Sequence, residues 1–480
     1  MTAEERERAA GQDSGKANGG GITMSPAPAH EDLQHDVALG VPDRKYSGKR
    51  QIFDVRAKYI ITLLIAIAWA AVAYWLALRW IADLSAIIGP LAYAVVFTIA
   101  IIPGFMNAFI VMGLLLDRRP KRASVSTHPG ISILVAAYNE EATILGTLES
   151  IERQNYPGPL EVFVINDGST DGTMKKLVTV SYPWLQVIDL QKNVGKANAL
   201  NAGLSKVGFG LTITLDADSY LYRDALSHIV GRYLSDPPST AAVAGTVLVR
   251  NSRENIITKI QEWDYFHGIA AIKRLQSLFQ GTLVAQGAFS LYRTSVLRDV
   301  GGWTDCVGED IVLTWALLKK GYRVGYCEDS LVFTNVPATF RQFIRQRQRW
   351  SRGLVEAFRS HSALLFRGRM STIFIWWNLL FPLMDLGYTV FFIPGLLLAV
   401  FGIYWIAGPM TLLVLPLAML LNYIMFQIQA SLFIEQGLKV RRNPVGFICY
   451  ALLYGLVLQP ACVVGYMMEA LGLRKSWGTK

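Results

Sequence analysis

Apolar positions in this chain are gathered into long blocks. Residues 59–78, YIITLLIAIAWAAVAYWLAL, carry no charge, and 84–116 form a second uncharged run. Three more lie beyond residue 370, at roughly 380–405, 409–434 and 446–468. A helix of ~20 apolar residues crosses the hydrocarbon of a bilayer. The pattern therefore predicts five spans, two before a long middle section and about three after it. Residues 1–50 are polar and rich in Gly, Ala, Ser, Pro and charge, with no apolar stretch of the signal-peptide kind. They are expected to form a disordered tail.

The middle section has a different rhythm. Short β-rich runs alternate with helical stretches: GISILVAAYNE, LEVFVINDGST, WLQVIDLQKN, LTITLDADSY and AAVAGTVLV. Alternating strands and helices predict a mostly parallel sheet covered by helices. Ligands of such sheets gather at the carboxyl ends of the strands. Those ends carry Asn139, Glu140, Asp167, Asp216 and Asp218, the composition of a nucleotide and metal site. Further on, Phe343, Trp350, Leu354 and Phe358 make an apolar stripe at helical spacing, while residues 341–355 hold five arginines and no acid. Read alone, this is an amphipathic helix lying on anionic lipid.

Charge adds topology. The chain is 52% hydrophobic and 17% charged, with a net charge of +10. Basic loops stay on the cytoplasmic side, which places DRKYSGKRQIFDVRAK (43–58), DRRPKRAS (117–124) and KVRRN (439–443) inside. The turns RWIADLS and IYWIAGP fall outside, so the section from about 117 to 370 is cytoplasmic. Five spans put the C-terminal LRKSWGTK outside, against the same rule. Basic membrane flanks account for the positive charge, and no nucleic-acid module is recognisable. The four cysteines have no metal-like spacing and form no CxxC; they fit a reducing or membrane setting.

Candidate chemistry sits on the strand ends. Asp216 and Asp218, at i and i+2 beyond a buried strand, can approach one divalent ion and its diphosphate; oxygen ligands suit Mg²⁺ or Mn²⁺. A DxD also opens phosphate-transferring hydrolases, but on their first strand, whereas this one follows about the fourth. VGKANALN lacks the GxxxxGK[ST] pattern of a P-loop, so Lys196 reads either as a point charge for a diphosphate or as a solvated loop lysine. Glu309 and Asp310 open an apolar-periodic helix, where the dipole favours carboxylates. They are either helix caps or a base for an incoming hydroxyl.

Taken in order, AAYNE (136–140), VINDGSTDGT (164–173), GKANALNAGL (195–204), DAD (216–218), QGAFSLYR (286–293), GED (308–310) and QRQRW (346–350) resemble one family. It is the processive, membrane-integrated family 2 glycosyltransferases, which include cellulose, chitin and hyaluronan synthases and bacterial poly-N-acetylglucosamine synthases. The resemblance covers about residues 55–470. It implies an α/β GT-A domain, Rossmann-like and cytoplasmic, inserted between α-helical transmembrane segments. It further implies a UDP-sugar donor, a divalent cation (Mg²⁺ or Mn²⁺), inversion at the anomeric carbon and a growing polysaccharide acceptor. Asp167 and Tyr138, Asn139 and Glu140 of AAYNE would meet uridine. Asp216 would lie by the nucleotide, with Asp218, beside it, on the metal, and Lys196 near the diphosphate. Asp310, with Glu309 next to it, would supply the general base. Gln286 and Gly287 belong to the segment that meets the acceptor.

The implied organisation is a tail (1–55), two transmembrane helices (56–117), a GT-A domain (118–340), an interface helix with QxxRW (341–370), about three transmembrane helices (371–472) and a tail (473–480). The protein would be multi-pass in the inner (plasma) membrane, with room for a small membrane accessory subunit. VPATFRQFIRQRQRW and the span plan look most like poly-β-1,6-N-acetylglucosamine synthases. Those relatives usually have Thr-Glu-Asp at Gly308-Glu309-Asp310 and Ser-Gly at Gln286-Gly287, so hyaluronan-, chitin- and glucan-type products stay open, as does a non-processive lipid-linked transferase. In the family, Trp350 stacks on the acceptor sugar, Arg349 neutralises the diphosphate and Gln346 keeps the nucleotide side in register. Arg341, Arg345 and Arg352 are left for the membrane surface. Asn107, Asn378, Asp385, Asn422, Gln427, Gln429, Gln459 and Glu469 lie within spans, where polar groups face a bundle interior or an aqueous path. Some are expected to line a glycan route, with Trp376 and Trp377 offering faces to sugar rings.

Overall fold

A computed structural model describes residues 54–117, 127–435, 437 and 440–473. The N-terminal tail before residue 54, most of DRRPKRAS, part of KVRRN and all but the first residue of the C-terminal LRKSWGTK lie outside the described residues.

Two helices come first, α1 (Val55–Ile88) and α2 (Leu91–Leu115). Their turn is made by Gly89 at φ 62 and Pro90. Strands then alternate with helices: β1 (Ile131–Ala137), β2 (Leu160–Asn166), β3 (Leu185–Asp189), α3 (Lys196–Leu204), β4 (Leu211–Leu215), β5 (Tyr220–Leu221) and β6 (Thr240–Val249). A long helix, α4 (residues 256–278), follows; Asn255 caps it through a reciprocal box with Thr258, and its middle turns are π-wound. Next come β7 (Phe289–Arg293), α5 (Glu309–Lys319), β8 (Arg323–Thr334) and α6 (Phe340–His361). The chain ends in α7 (Thr372–Val400), α8 (Pro409–Glu435) and α9 (Pro444–Ala470).

The eight strands form one sheet in the order β3-β2-β1-β4-β7-β6-β8-β5. Pairs β1–β2, β2–β3, β1–β4 and β6–β8 are parallel, whereas β7 runs antiparallel between β4 and β6, and β5 antiparallel to β8. The expectation of a mostly parallel sheet holds for one half only. Strand β4 is buried at all five positions and β1 at six of seven, as strands covered on both faces must be. One face is filled by Ile133, Val135, Leu148, Ile213 and Phe289. The other continues without a break from Leu200 and Trp315 to an aromatic cluster of Phe109, Phe279, Phe374 and Trp377 that joins the sheet domain to α2 and α7.

Four helices among the described residues, α1, α2, α7 and α9, are long and apolar enough to cross a membrane. Helix α8 occupies the segment of the remaining expected span.

Several polar groups of these helices tie helices together. Tyr466 Oη donates to Asp385 Oδ2 at 2.9 Å, and Asn422 Oδ1 lies 3.2 Å from His267 Nδ1. Gln429 Nε2 donates to the Phe266 carbonyl, and Glu469 takes Arg352 and Arg359. Trp377 is buried against Phe109 at 5.3 Å, so its face is not open to a sugar; Trp376 is exposed and donates to the Leu365 carbonyl.

Candidate active site

The site is assembled where β1, β2 and β4 end. Beyond β1 the chain turns through Asn139 at φ 57, a conformation Asn tolerates better than most residues. Its Oδ1 accepts from Thr170 N at 2.8 Å, and the Glu140 amide donates to Thr173 Oγ1 at 2.8 Å. The AAYNE and DGSTDGT segments therefore form one wall, with Tyr138 exposed beside them. Beyond β2, Asp167 is buried and takes two backbone amides, Val194 N at 2.7 Å and Gly195 N at 3.0 Å. Gly168 (φ 65) permits this, because a Cβ there would sit 2.5 Å from the Lys192 carbonyl carbon. Asp167 thus holds the loop that delivers Lys196, the first residue of α3.

Lys196 Nζ is the hub. It lies 2.5 Å from Asp216 Oδ1 and 3.6 Å from Glu309 Oε1, so three separated sequence motifs meet at one ammonium. Burial opposes that charge, but the Asp216 and Glu309 carboxylates hold the Lys196 pKa above its ordinary value. The solvated-loop reading of Lys196 does not hold. Glu309 is pushed up to about 7, chiefly by burial, with Lys196 working against the shift. Gly287 presses on this hub: a Cβ there would lie 2.8 Å from Lys196 Nζ.

Asp310 stands beside it at the start of α5, as its helix-opening position predicts. Its Oδ1 accepts from Ile311 N at 2.7 Å, and its Oδ2 from Gly287 N at 3.4 Å. Gln286 turns its amide to the Gly245 carbonyl at 2.9 Å, bracing β7 against β6. Lys273, buried on α4, has no motif to mark it. Its Nζ donates to the Val284 carbonyl at 2.7 Å; burial pushes its pKa down to about 7, and the charge of Asp310 opposes the shift.

Asp218 accepts from Thr334 Oγ1 at 3.2 Å. Burial, then the charges of Asp216 and Glu140, raise its carboxyl to about 7. Among the described residues, no three His, Cys, Asp or Glu side chains enclose a common ion position. The carboxylate oxygens of Asp216, shared with Lys196, and of Asp218 are hard donors that fit a divalent cation taking its remaining ligands from phosphate, the usual habit of Mg²⁺.

Helix α6 closes the other side. Thr339 caps it, accepting from Gln342 N at 3.3 Å. Gln346 is buried, Arg349 is half-buried with its charge acting on Glu309, and Trp350 is 38% exposed. Arg347, unassigned from sequence, lies 4.1 Å over the Trp350 ring and pairs with Asp264 of α4 at 2.9 Å. The three arginines expected at the membrane surface divide. Arg341 and Arg345 are exposed. Arg352 is instead buried and pairs with Glu469 of α9 at 3.0 Å, because a buried guanidinium requires a carboxylate.

Comparison with known proteins agrees with this geometry. Residues 128–353 match the family described as "Glycosyltransferase like family 2". A poly-β-1,6-N-acetyl-D-glucosamine synthase of Staphylococcus aureus (strain COL) is 34% identical over 264 residues, which is 52% of this chain and 63% of that protein. The Staphylococcus epidermidis synthase of the same name is 35% identical over 263 residues, with the same shares covered. The match thus spans less than two thirds of these relatives' length. Among solved structures, a mannosyltransferase from Pyrobaculum calidifontis in complex with GDP-Man and Mn²⁺ superposes with a TM-score of 0.51 at 19% identity, over 87% of this chain and 99% of that one. The ordered strand-end motifs, the mixed sheet and the family match converge on one assignment: residues 128–353 of this chain are a family 2 glycosyltransferase domain with a GT-A fold.

Proposed function

We propose that this chain is an inverting, processive glycosyltransferase. It takes a UDP-sugar, UDP-N-acetylglucosamine first, and extends a β-linked polysaccharide at the cytoplasmic face of the inner membrane. The polymer leaves through the chain's own transmembrane region, with the bilayer and a small accessory subunit as partners. The observation that carries the reading is the meeting of Lys196 with Asp216 and Glu309, with Asp310 alongside. A diphosphate-binding cation and a base candidate lie within one strand-end cleft.

Tyr138, Asn139, Glu140 and Asp167 form the uridine side. Lys196 and Arg349 face the diphosphate; their fixed positive charge stabilises it as it leaves. Asp216 and Asp218 would hold Mg²⁺ or Mn²⁺, which when bound supplies further positive charge for the leaving group. Asp310, oriented by the Gly287 and Ile311 amides, accepts the proton of the acceptor hydroxyl. Gln286 and Gly287 shape the acceptor floor, Trp350 offers a ring face to the acceptor sugar, and Gln346 sits by the nucleotide. An interface segment over 341–370, carried by α6 (Phe340–His361), belongs to the proposal, with two spans over 56–117 and about three over 371–472.

The test is UDP release by purified full-length protein over a panel of UDP-sugars, with product digested by linkage-specific hydrolases. Expected are release dependent on Mg²⁺ or Mn²⁺, loss in Asp310→Asn, and long product cleaved by a β-1,6-N-acetylglucosaminidase. Absence of release with every donor overturns the reading, and single-residue products overturn processivity.

A further inference from the structure

The QxxRW face of α6 does not stop at the tryptophan. On a helix turning ~100° per residue, Gln346, Arg349, Gly353 and Glu356 fall within about 80° of one another. That stripe is pressed against the amino end of α5. The backbones of Gly308 and Gly353 meet so closely that a Cβ on Gly353 would lie 2.7 Å from the Gly308 Cα, and one on Gly308 would lie 2.5 Å from the Gly353 Cα. One turn further on, buried Glu356 accepts a hydrogen bond through Oε2 from the Gly308 amide at 2.8 Å. Gly308 is the residue from which α5 starts, and Glu309 and Asp310 are the next two.

Helix amino ends carry amide protons without intrahelical partners, and a carboxylate there both bonds an amide and complements the dipole. Side chains within the same turn ordinarily do this. Here the carboxylate comes from another helix, 48 residues away. It adds negative charge to a corner that already holds Glu309 and Asp310. A stabilising role alone would be met more simply by a cap from the 305–308 turn.

We infer that Glu356 is a positioning residue: through Gly308 it fixes the start of α5, and hence the Asp310 carboxyl, against the face of α6 that presents Arg349. The inference rests on the function proposed above for its chemical meaning, but not for its geometry. Helix α6 is itself anchored on the adjoining flank, where Arg352 and Arg359 grip Glu469 at 3.0 and 2.9 Å. The base candidate and the diphosphate-facing arginine thus share one rigid support, and a small displacement of a reacting group is costly to rate.

Three variants of the full-length protein in lipid nanodiscs test this. Glu356→Ala removes the acceptor. Glu356→Gln keeps an amide oxygen for the Gly308 N–H and drops the charge. Gly353→Ala keeps Glu356 but forces the two backbones apart. In Glu356→Ala and Gly353→Ala, hydrogen exchange at residues 306–313 should rise, and kcat for UDP release should fall about tenfold or more with donor KM changed less than about twofold. Glu356→Gln should keep the exchange protection and a kcat within about threefold of the parent. Unchanged exchange in Glu356→Ala overturns the inference, as does a KM that moves in step with kcat, or a Gln variant no better than Ala. The exchange measurement needs no turnover. If the parent releases no UDP, the proposed chemistry fails while exchange still decides whether Glu356 holds the start of α5.

Discussion

Glu309 is a carboxyl the fold would hold more cheaply as an amide. Its pKa stands at about 7 against an ordinary 4.5, with burial as the main cause. Between those values the folded chain keeps a proton that the unfolded chain has released. The folded state then binds more protons, so stability falls as pH rises from 4.5 toward 7 and levels off above. The displacement is about 2.5 pH units, and at 1.36 kcal/mol per unit it amounts to about 3 kcal/mol at neutral pH and above. Glu309→Gln removes the titration and leaves Lys196 paired with Asp216 at 2.5 Å. The lost 3.6 Å contact with Lys196 returns part of the gain, so a net stabilisation of about 1–3 kcal/mol is expected at about pH 8 and little or none near pH 5. Thermal unfolding followed by tryptophan fluorescence, in EDTA and without donor, reads this as a Tm difference that opens by several degrees across the window. UDP release should fall in the same variant, the usual exchange of stability for function at an active site. A Tm offset that is constant with pH, or a variant less stable at pH 8 than at pH 5 relative to the parent, refutes the reasoning.

Three further outcomes follow from single contacts. Asp167→Ala leaves the Val194 and Gly195 amides without their charged acceptor, about 1.5–3 kcal/mol for each bond; exchange at residues 190–196 should rise and donor KM increase, and an unchanged KM argues against the loop's role. Glu469→Ala strands buried Arg352, so a loss of about 3–5 kcal/mol is expected in thermal unfolding, while Glu469→Leu with Arg352→Leu should recover most of it. Asp218→Asn should weaken Mn²⁺ binding about tenfold or more, measured by paramagnetic resonance with UDP present, because one anionic oxygen donor is lost; undiminished binding places the cation elsewhere.

The parts of this fold that were legible in the sequence are those whose physics is local. Strands β1, β2 and β4 announce themselves as β-branched runs ending in Asn or Asp, because strands covered on both faces need no alternation. Strand β7 is only FSLYR, and nothing in five residues states that it enters between β4 and β6 in the reverse direction. In β8 the stretch Cys327-Glu328-Asp329 interrupts the apolar run, and here its pairing with β6 shifts register between Ala244 and Thr246. The acid pair of α5 could be placed because a helix start makes its own demand on charge. Glu356 escaped notice although it shares a face with Gln346; continuing the same spacing past Trp350 would have exposed it.

The arginines of α6 show where local reading fails and why. A cationic, acid-free stretch with an apolar stripe fits a lipid surface, and Arg341 and Arg345 remain exposed in that manner. The partners of the others are distant in the chain: Arg352 and Glu469 are separated by 117 residues, and Arg347 takes Asp264 from α4. Each buried pair contributes little net stability, since desolvation offsets much of the attraction. Their effect on register is stronger. Sliding or rotating α6 by one residue would set a guanidinium against apolar side chains and leave a carboxylate bare, at several kcal/mol for each exposed mismatch. Acids on α4 and α9 and the Gly308 amide on α5 therefore fix one rotation of α6, the one that turns Arg349 toward Glu309 and leaves one-third of Trp350 open. The placement of the QxxRW motif is thus specified by groups outside it, and grafting the five residues onto another helix would transfer their composition without their aim.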